Sequence, residues 1–200
     1  ESFSIDSRVV FSEKRSEIQN APIIVADSLK TPENLGNIIR LSANIGIRKI
    51  ICVDTIQHRE SKVRKTACMA WDYVELIYAT KENLCNHIPQ GYELVALETS
   101  TISKNIYTTE LPRKMALVVG NEQDGICKEL LDKCPLHVHI PMTGPATSMN
   151  VSHATGVALF EWVRRITIQQ NSYCIYTDHQ IFDRYQRYRL RGRPAPCRTG

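Results

Sequence analysis

The sequence predicts an α/β protein, a mostly parallel sheet with helices on both faces. Three observations point that way. Apolar runs rich in β-branched residues recur without polar alternation, the pattern of strands buried on two faces. Segments with helical spacing separate those runs, as crossovers between parallel strands do. Polar, glycine-bearing loops follow several runs, where the carboxyl ends of an open sheet gather chemistry.

Residues 1–20 are polar and mixed in charge, with one short helix expected at Ser12–Gln19. Pro22-Ile23-Ile24-Val25-Ala26 reads as the first strand. In the loop that follows, Thr31 is placed to cap and Pro32 to open a helix from about Glu33 to Asn44, ended by Gly46. Arg48–Val53 is the second strand and Lys62–Ala70 a helix. Val74–Tyr78 is a strand, Lys81–His87 a helix and Tyr92–Glu98 a strand. A polar stretch precedes the strand Met115–Gly120, after which a turn leads into a helix through Cys134. Leu136–Ile140 is the last strand. The loop from Thr143 to Asn150 contains a Gly144-Pro145 kink and two side chains fit to cap a helix, Ser148 and Asn150. A long helix, Val151–Arg165, follows. Beyond Gln170 the pattern breaks, and Gly192 to Pro196 reads as unfolded. The expected organisation is therefore an extension at 1–20, an α/β domain at 21–170 and a basic tail at 171–200.

Two hundred residues suffice for one domain with a substantial core. No run approaches the roughly 18 apolar residues of a membrane span, and the polar N-terminus is unlike a signal peptide. The chain opens on Glu1 rather than Met, which leaves room for a preceding domain. Seven cysteines lie scattered without a Cys-x-x-Cys pair; Cys52 and Cys68 fall in apolar contexts and read as small core residues. Reduced thiols in a cytosol-like compartment fit that usage better than a disulfide framework. The net charge of +4 is unevenly placed. Six arginines against one acid between Phe182 and Gly200 give an excess of five, so the first 181 residues carry about −1. Any nucleic-acid footprint on the body must come from a local patch.

Three polar clusters follow strands. The first is Asn34-Leu35-Gly36-Asn37-Ile38-Ile39-Arg40, in which Asn34 and Arg40 are six apart, nearly two helical turns, and are expected to reach the same edge of the sheet. The second is Gly120-Asn121-Glu122-Gln123-Asp124-Gly125, whose terminal glycines permit a sharp turn and a close backbone approach. The third is the Thr143–Asn150 loop. Each alone has an ordinary structural explanation: solvated helix residues, a first-turn acid at a helix dipole, helix caps.

In combination and in order, the clusters resemble the SpoU, or TrmH-like, branch of the SPOUT RNA 2′-O-ribose methyltransferases. The matching residues are Asn34-Leu35-Gly36-x-x-x-Arg40, then Leu117-Val118-Val119-Gly120-Asn121-Glu122-x-x-Gly125-Ile126, then Ile140-Pro141-Met142-x-Gly144-x-x-x-Ser148-Met149-Asn150-Val151-Ser152. The likeness covers roughly Pro22 to Arg165. Met149 stands where the family commonly has Leu, a volume-conserving exchange.

The resemblance implies a C-terminal trefoil knot, which periodicity alone does not reveal. It implies S-adenosyl-L-methionine as cofactor, held largely by backbone at Leu97, Glu98, Thr99, Gly120, Asn121, Gly125, Ile140, Met142, Ser148 and Met149. It implies methyl transfer to a ribose 2′-hydroxyl of structured RNA, tRNA or rRNA, with a lean towards a tRNA guanosine. The catalytic set carried over is Arg40, Asn34, Glu122, Ser148 and Asn150. A guanidinium pKa above about 12 argues against Arg40 as a literal base and for holding phosphate and stabilising the alkoxide. Asn34 and Asn150 would position ribose and loop groups, Ser148 would brace the pocket or touch RNA, and Glu122 would anchor loops through backbone N–H groups or Arg40. The family acts as a cytoplasmic homodimer in which one subunit completes the other's site, and no metal or membrane is implied.

Two other readings compete. One is a catalytically silent RNA-binding module of the same fold. The other is a nucleotide-binding protein using Gly120–Gly125, which lacks the Lys-Ser/Thr and the glycine spacing of known phosphate loops. His137 and His139 share a strand face but lack a third metal ligand at sensible spacing, so a structural role is expected. Trp71 and Trp162 read as core. The tail from Tyr185 to Arg191 interleaves aromatics with cations, as RNA-contacting segments do.

Overall fold

A computed structural model describes residues 20–170; the expected helix at Ser12–Gln19 and the basic tail lie outside the described residues. Seven strands form one sheet: β1 Ile23–Asp27, β2 Lys49–Val53, β3 Glu75–Ala79, β4 Glu93–Leu97, β5 Lys104–Asn105, β6 Met115–Val119 and β7 Leu136–His139. Their order across the sheet is β3-β2-β1-β6-β4-β7-β5, and every named pairing is parallel. Among the described residues four α-helices accompany them: α1 Pro32–Asn44, α2 Glu60–Ala67, α3 Lys128–Leu131 and α4 Val151–Gln170.

The central strands β1 and β6 are buried along their whole length, which explains their unbroken apolar sequences. Ile23, Val25, Ala116 and Val118 pack with Leu130 and Cys134 on one side. The alternate residues Ile24, Cys52 and Leu117 face the other way and are equally buried. Burial pushes the Cys52 thiol up to about 12, so it packs as an inert apolar group. Cys68 departs from expectation: it is exposed, in the left-handed region at φ 53°, where α2 gives way to a 3-10 turn, Cys68–Asp72.

Other elements are shorter than their sequences suggest. Lys81–His87 contains only the 3-10 turn Leu84–His87, and the helix expected through Cys134 is the single turn Lys128–Leu131. Strand β5 falls within the stretch read as irregular, because two residues carry no periodicity. Strand β7 lies between β4 and β5, although only residues 98–103 join those two.

Helices α1 and α2 meet closely at Gly36. A Cβ there would lie 2.6 Å from Thr66 Cβ and 2.9 Å from the Val63 carbonyl oxygen, so only glycine allows this approach. Helix α1 also touches α4 at one point, where the Leu41 side chain approaches Gly156.

Candidate active site

The carboxyl ends of β1, β6, β4 and β7 are neighbours in the sheet. Leu97 is in register with Val119 on one side and Val138 on the other, which sets Leu97–Thr99, Gly120–Asn121 and Ile140–Met142 side by side. Residues that the sequence scatters over more than forty positions therefore share one edge.

Beside them, three residues from the three motifs form one hydrogen-bonded chain. Asn34 Nδ2 donates to Glu122 Oε1 at 2.7 Å, and Asn150 Nδ2 donates to Asn34 Oδ1 at 3.0 Å. Asn150 Oδ1 in turn accepts from the Ser152 backbone N–H at 2.9 Å and the Ser152 hydroxyl at 2.7 Å. Each amide has one donor and one acceptor end, so the carboxylate at one end and the helix N-terminus at the other fix both orientations. Asn150 is thus the cap of α4. Ser148, the other side chain fit to cap, is exposed and forms no hydrogen bond among the described residues.

Glu122 does more than end that chain. It accepts from the Lys30 N–H at 3.0 Å, the Thr31 N–H at 3.1 Å and the Thr31 hydroxyl at 2.7 Å. It therefore lies at the N-terminus of α1, where the helix dipole favours an anion. Thr31, expected to cap α1, gives its hydroxyl to Glu122 instead and makes no side-chain cap bond. Burial alone would raise the Glu122 pKa, but hydrogen bonds from Thr31, Asn34 and Lys30 outweigh it and bring the value down to about 2. The carboxylate stays ionised at any physiological pH. Lys30 and Thr31 are the residues that sequence reasoning missed; a cap placed before a helix gives no hint that its partner is about ninety positions away.

The approach to this cluster is itself braced. The chain leaves β1 through Ser28 in the left-handed region, φ 50°, with its hydroxyl on Asp27 Oδ1 at 2.8 Å. Asp27, fully buried, accepts from the Cys127 N–H at 2.7 Å and so ties β1 to the loop after β6.

Gly120 and Gly125 close the second loop. The Asn121 and Gly125 backbones exchange hydrogen bonds at 3.1 and 3.3 Å, and Asn121 Oδ1 accepts from the Gln123 and Asp124 N–H groups, both at 2.9 Å. A Cβ on Gly120 would run into the Gly125–Ile126 peptide, and Gly125 has φ 71°. Glu98 braces the same turn. It accepts from the Ile126 N–H at 3.0 Å and the Thr99 N–H at 2.8 Å, so its carboxylate is committed to backbone.

Arg40 stands apart. Six residues beyond Asn34, it lies about 9 Å further from the carboxyl edge at 1.5 Å of rise per residue. Asn34 is buried while Arg40 is exposed, with no hydrogen bond or ion pair among the described residues. The spacing that suggested a shared edge also turns Arg40 about 120° away around the helix.

The remaining sequence candidates take structural positions. Among the described residues no three His, Cys, Asp or Glu side chains cluster. His137 and His139 bond Leu131 O at 3.1 Å and the Ser103 hydroxyl at 3.0 Å. Trp162 is core, with its indole N–H on Pro112 O at 3.1 Å. Trp71, also expected in the core, is instead a half-buried surface residue stacked with Arg64. A cavity of about 260 Å³ at the ends of β2 and β3, lined by Cys52, Thr55 and Tyr78 among others, contains none of the motif residues.

The strand-end edge does suit a nucleoside-like cofactor. Met142 and Met149, each 37% exposed, offer apolar surface, and the backbone of the Met142–Met149 loop takes no hydrogen bond within the described chain. Such a loop leaves N–H and C=O groups available to a ligand.

Comparison with known proteins agrees with this geometry. The model of the SpoU rRNA Methylase family matches residues 21–160. The 23S rRNA (guanosine-2′-O-)-methyltransferase RlmB of Haemophilus influenzae is 34% identical over 150 residues, covering 74% of this chain and 61% of that protein. The Salmonella typhi protein of the same name is 31% identical over 147 residues, covering 72% and 60%. This chain thus spans about three-fifths of the length of these relatives. Among solved structures, an AdoMet-bound rRNA methyltransferase from Sinorhizobium meliloti aligns with TM-score 0.67 at 28% identity, over 72% of this chain and 56% of that one. The A. aeolicus TrmH/SpoU tRNA modifying enzyme aligns with TM-score 0.68 at 26% identity, over 77% and 79%. With the family's three motifs meeting at one sheet edge, the chain belongs to the SpoU rRNA methylase family.

Proposed function

We propose that this chain binds S-adenosyl-L-methionine at the ends of β6, β4 and β7 and methylates a ribose 2′-hydroxyl of ribosomal RNA. The observation that carries the reading is the chain Glu122–Asn34–Asn150, which locks the three motifs beside those strand ends. The names of the curated relatives favour a guanosine of 23S rRNA over the tRNA guanosine that the motifs suggested. Leu97–Thr99, Gly120 and Ile140–Met142 would hold the cofactor through backbone and apolar contacts, with Glu98, Asn121 and Gly125 keeping the strand-end turn in shape. The cofactor would supply an electrophilic methyl group; the protein's part is to bind, orient and exclude water.

Within that reading Asn34 and Asn150 have a positioning role, since each is held by the other and by Glu122. Glu122, ionised and fully engaged by donors, is an anchor rather than a proton acceptor. Arg40 would hold the phosphate beside the reacting ribose and stabilise the developing alkoxide. Because Arg40 lies away from the trio in its own chain, we infer a homodimer in which one protomer's Arg40 serves the other's site. The exposed Phe160 on α4 suits such a contact. Threading of the segment after β7 past residues 98–103 would complete the knot implied by the resemblance.

Incubation of the protein with labelled methyl donor and ribosomal RNA, followed by mass spectrometry of the nucleosides, tests the reading. A 2′-O-methylated nucleoside supports it. Cofactor binding without methylation of ribosomal or transfer RNA would favour the silent RNA-binding module. For Arg40→Lys, a single-turnover rate near wild type would discard the role given to that guanidinium.

A further inference from the structure

The body of the chain is close to neutral, yet its charge is segregated. Between Arg40 and Thr66 the sequence has seven cations and two acids, Asp54 and Glu60, an excess of five, in a body of 181 residues that totals about −1. The rest of the body therefore carries about −6, and this segment is the local basic patch that bulk charge conceals.

Four of those cations, Arg59, Lys62, Arg64 and Lys65, lie on α2 and the residue that precedes it. Arg59, Lys62 and Lys65 recur every third residue, all exposed and none in an ion pair among the described residues. Such spacing sets neighbouring side chains on one ridge of the helix. Thr66, one turn after Lys62, is the residue that Gly36 of α1 touches, so the ridge flanks the α1–α2 contact. Arg40 lies one turn beyond Gly36 on α1.

Aromatic side chains stand in the turn that follows α2 and at its end. The Arg64 guanidinium lies 5.7 Å from the Trp71 ring centroid, and Arg48 lies 4.7 Å from that of Tyr73. Met69, in the same turn, is 89% exposed. A folded chain gains nothing by leaving that thioether in water. Exposed cations along α2, with aromatic rings in the turn after it, form the combination that tracks a nucleic-acid backbone and accepts unstacked bases. Cations in an ion-paired solvated face would be matched by acids; here Glu60 and Asp72 are both taken by Arg64.

We propose that the α2 ridge, Arg59, Lys62 and Lys65 with Trp71 and Tyr73 beyond it, is an RNA-docking strip that holds the strand flanking the reacting nucleotide. The proposal rests on the RNA methyl-transfer reading and adds where on the chain the polynucleotide lies.

Lys62→Glu/Lys65→Glu in the full chain tests it, with a fluorescein-labelled single-stranded oligouridylate of about twelve nucleotides as probe. The variant should bind at least about tenfold more weakly at low salt. Its plot of log affinity against log salt should be shallower by about 1.4, at roughly 0.7 per single-strand phosphate contact. S-adenosylmethionine binding by calorimetry and the melting temperature should not change. In parallel, saturating oligouridylate should quench the fluorescence of Trp71, and Trp71→Phe should abolish the quench, since Trp162 is buried. Unchanged affinity and salt slope in the double variant would overturn the strip. So would unchanged RNA binding with a shift in self-association, which would make the ridge a face between copies. Wild type that binds the probe through this ridge but methylates no RNA would uphold the strip and sink the catalytic reading alone.

Discussion

A single carboxylate decides how the motif residues stand. Glu122 gathers two backbone N–H groups, a hydroxyl and an amide, and each bond has a donor that would otherwise need water. Glu122→Gln keeps the volume but replaces one acceptor oxygen with an NH₂ that faces donors. Urea denaturation at neutral pH should show a loss of about 1 kcal/mol, allowing for solvent around a partly exposed group. The pH dependence follows from the direction of the shift. The folded value of about 2 is below the usual 4.5, so the unfolded chain takes up the proton first. The stabilisation is therefore present above about pH 4.5 and is lost as pH falls through 2, and the gap between wild type and Glu122→Gln should close over that window. A gap that stayed constant with pH would show that charge is not its source. Asn150→Ala removes both the cap of α4 and the partner of Asn34 Oδ1. It should cost about 1 kcal/mol in stability and well over tenfold in single-turnover methyl transfer, with cofactor affinity little changed.

At the scale of elements, the loops are built to different tolerances. The Gly120–Gly125 turn has no space at its first residue, whereas nothing lies within 4 Å of a Cβ on Gly144. Gly120→Ala should therefore destabilise the fold by about 3 kcal/mol or more and abolish S-adenosylmethionine binding, by thermal melting and calorimetry. Gly144→Ala should leave the melting temperature within a degree or so of wild type. Equal effects of the two would mean that the turn yields more readily than its contacts suggest. The helices that the sequence overestimated, at Lys81–His87 and before Cys134, have a common cause: an apolar spacing of one or two turns suffices to suggest a helix but not to sustain one. The cap of α4 illustrates the converse. Ser148 and Asn150 are both chemically able to cap, and the hydrogen bond to Asn34 selects Asn150.

For the whole molecule, the separation of Arg40 from the trio makes assembly part of the proposed chemistry. If a symmetric dimer supplies Arg40 across its interface, each site takes Arg40 from one protomer and Asn150 from the other. Co-expression of Arg40→Ala with Asn150→Ala chains should then restore about a quarter of wild-type activity through mixed dimers that keep one intact site, although either variant alone falls well over tenfold below wild type. No restoration, with mixed dimers demonstrated by mass spectrometry, would place both residues in one chain's site.

Much of this protein can be read before it folds. The order of strands and helices, the three motif loops and the reduced, core-type Cys52 follow from near-neighbour periodicity, turn chemistry and composition, all of them properties of adjacent residues. The sequence alone therefore determined the α/β class and which loops carry polar function. It did not determine that Glu122 would cap a helix 91 positions earlier, or that Asn150 would meet Asn34 across 116. Those contacts depend on the order β1-β6-β4-β7 and on parallel register, which hydrophobic spacing does not encode because any buried strand satisfies it equally. Only the tertiary structure decided which motif residues touch, and it left Arg40 pointing elsewhere, because a helix advances and turns as it leaves the sheet edge.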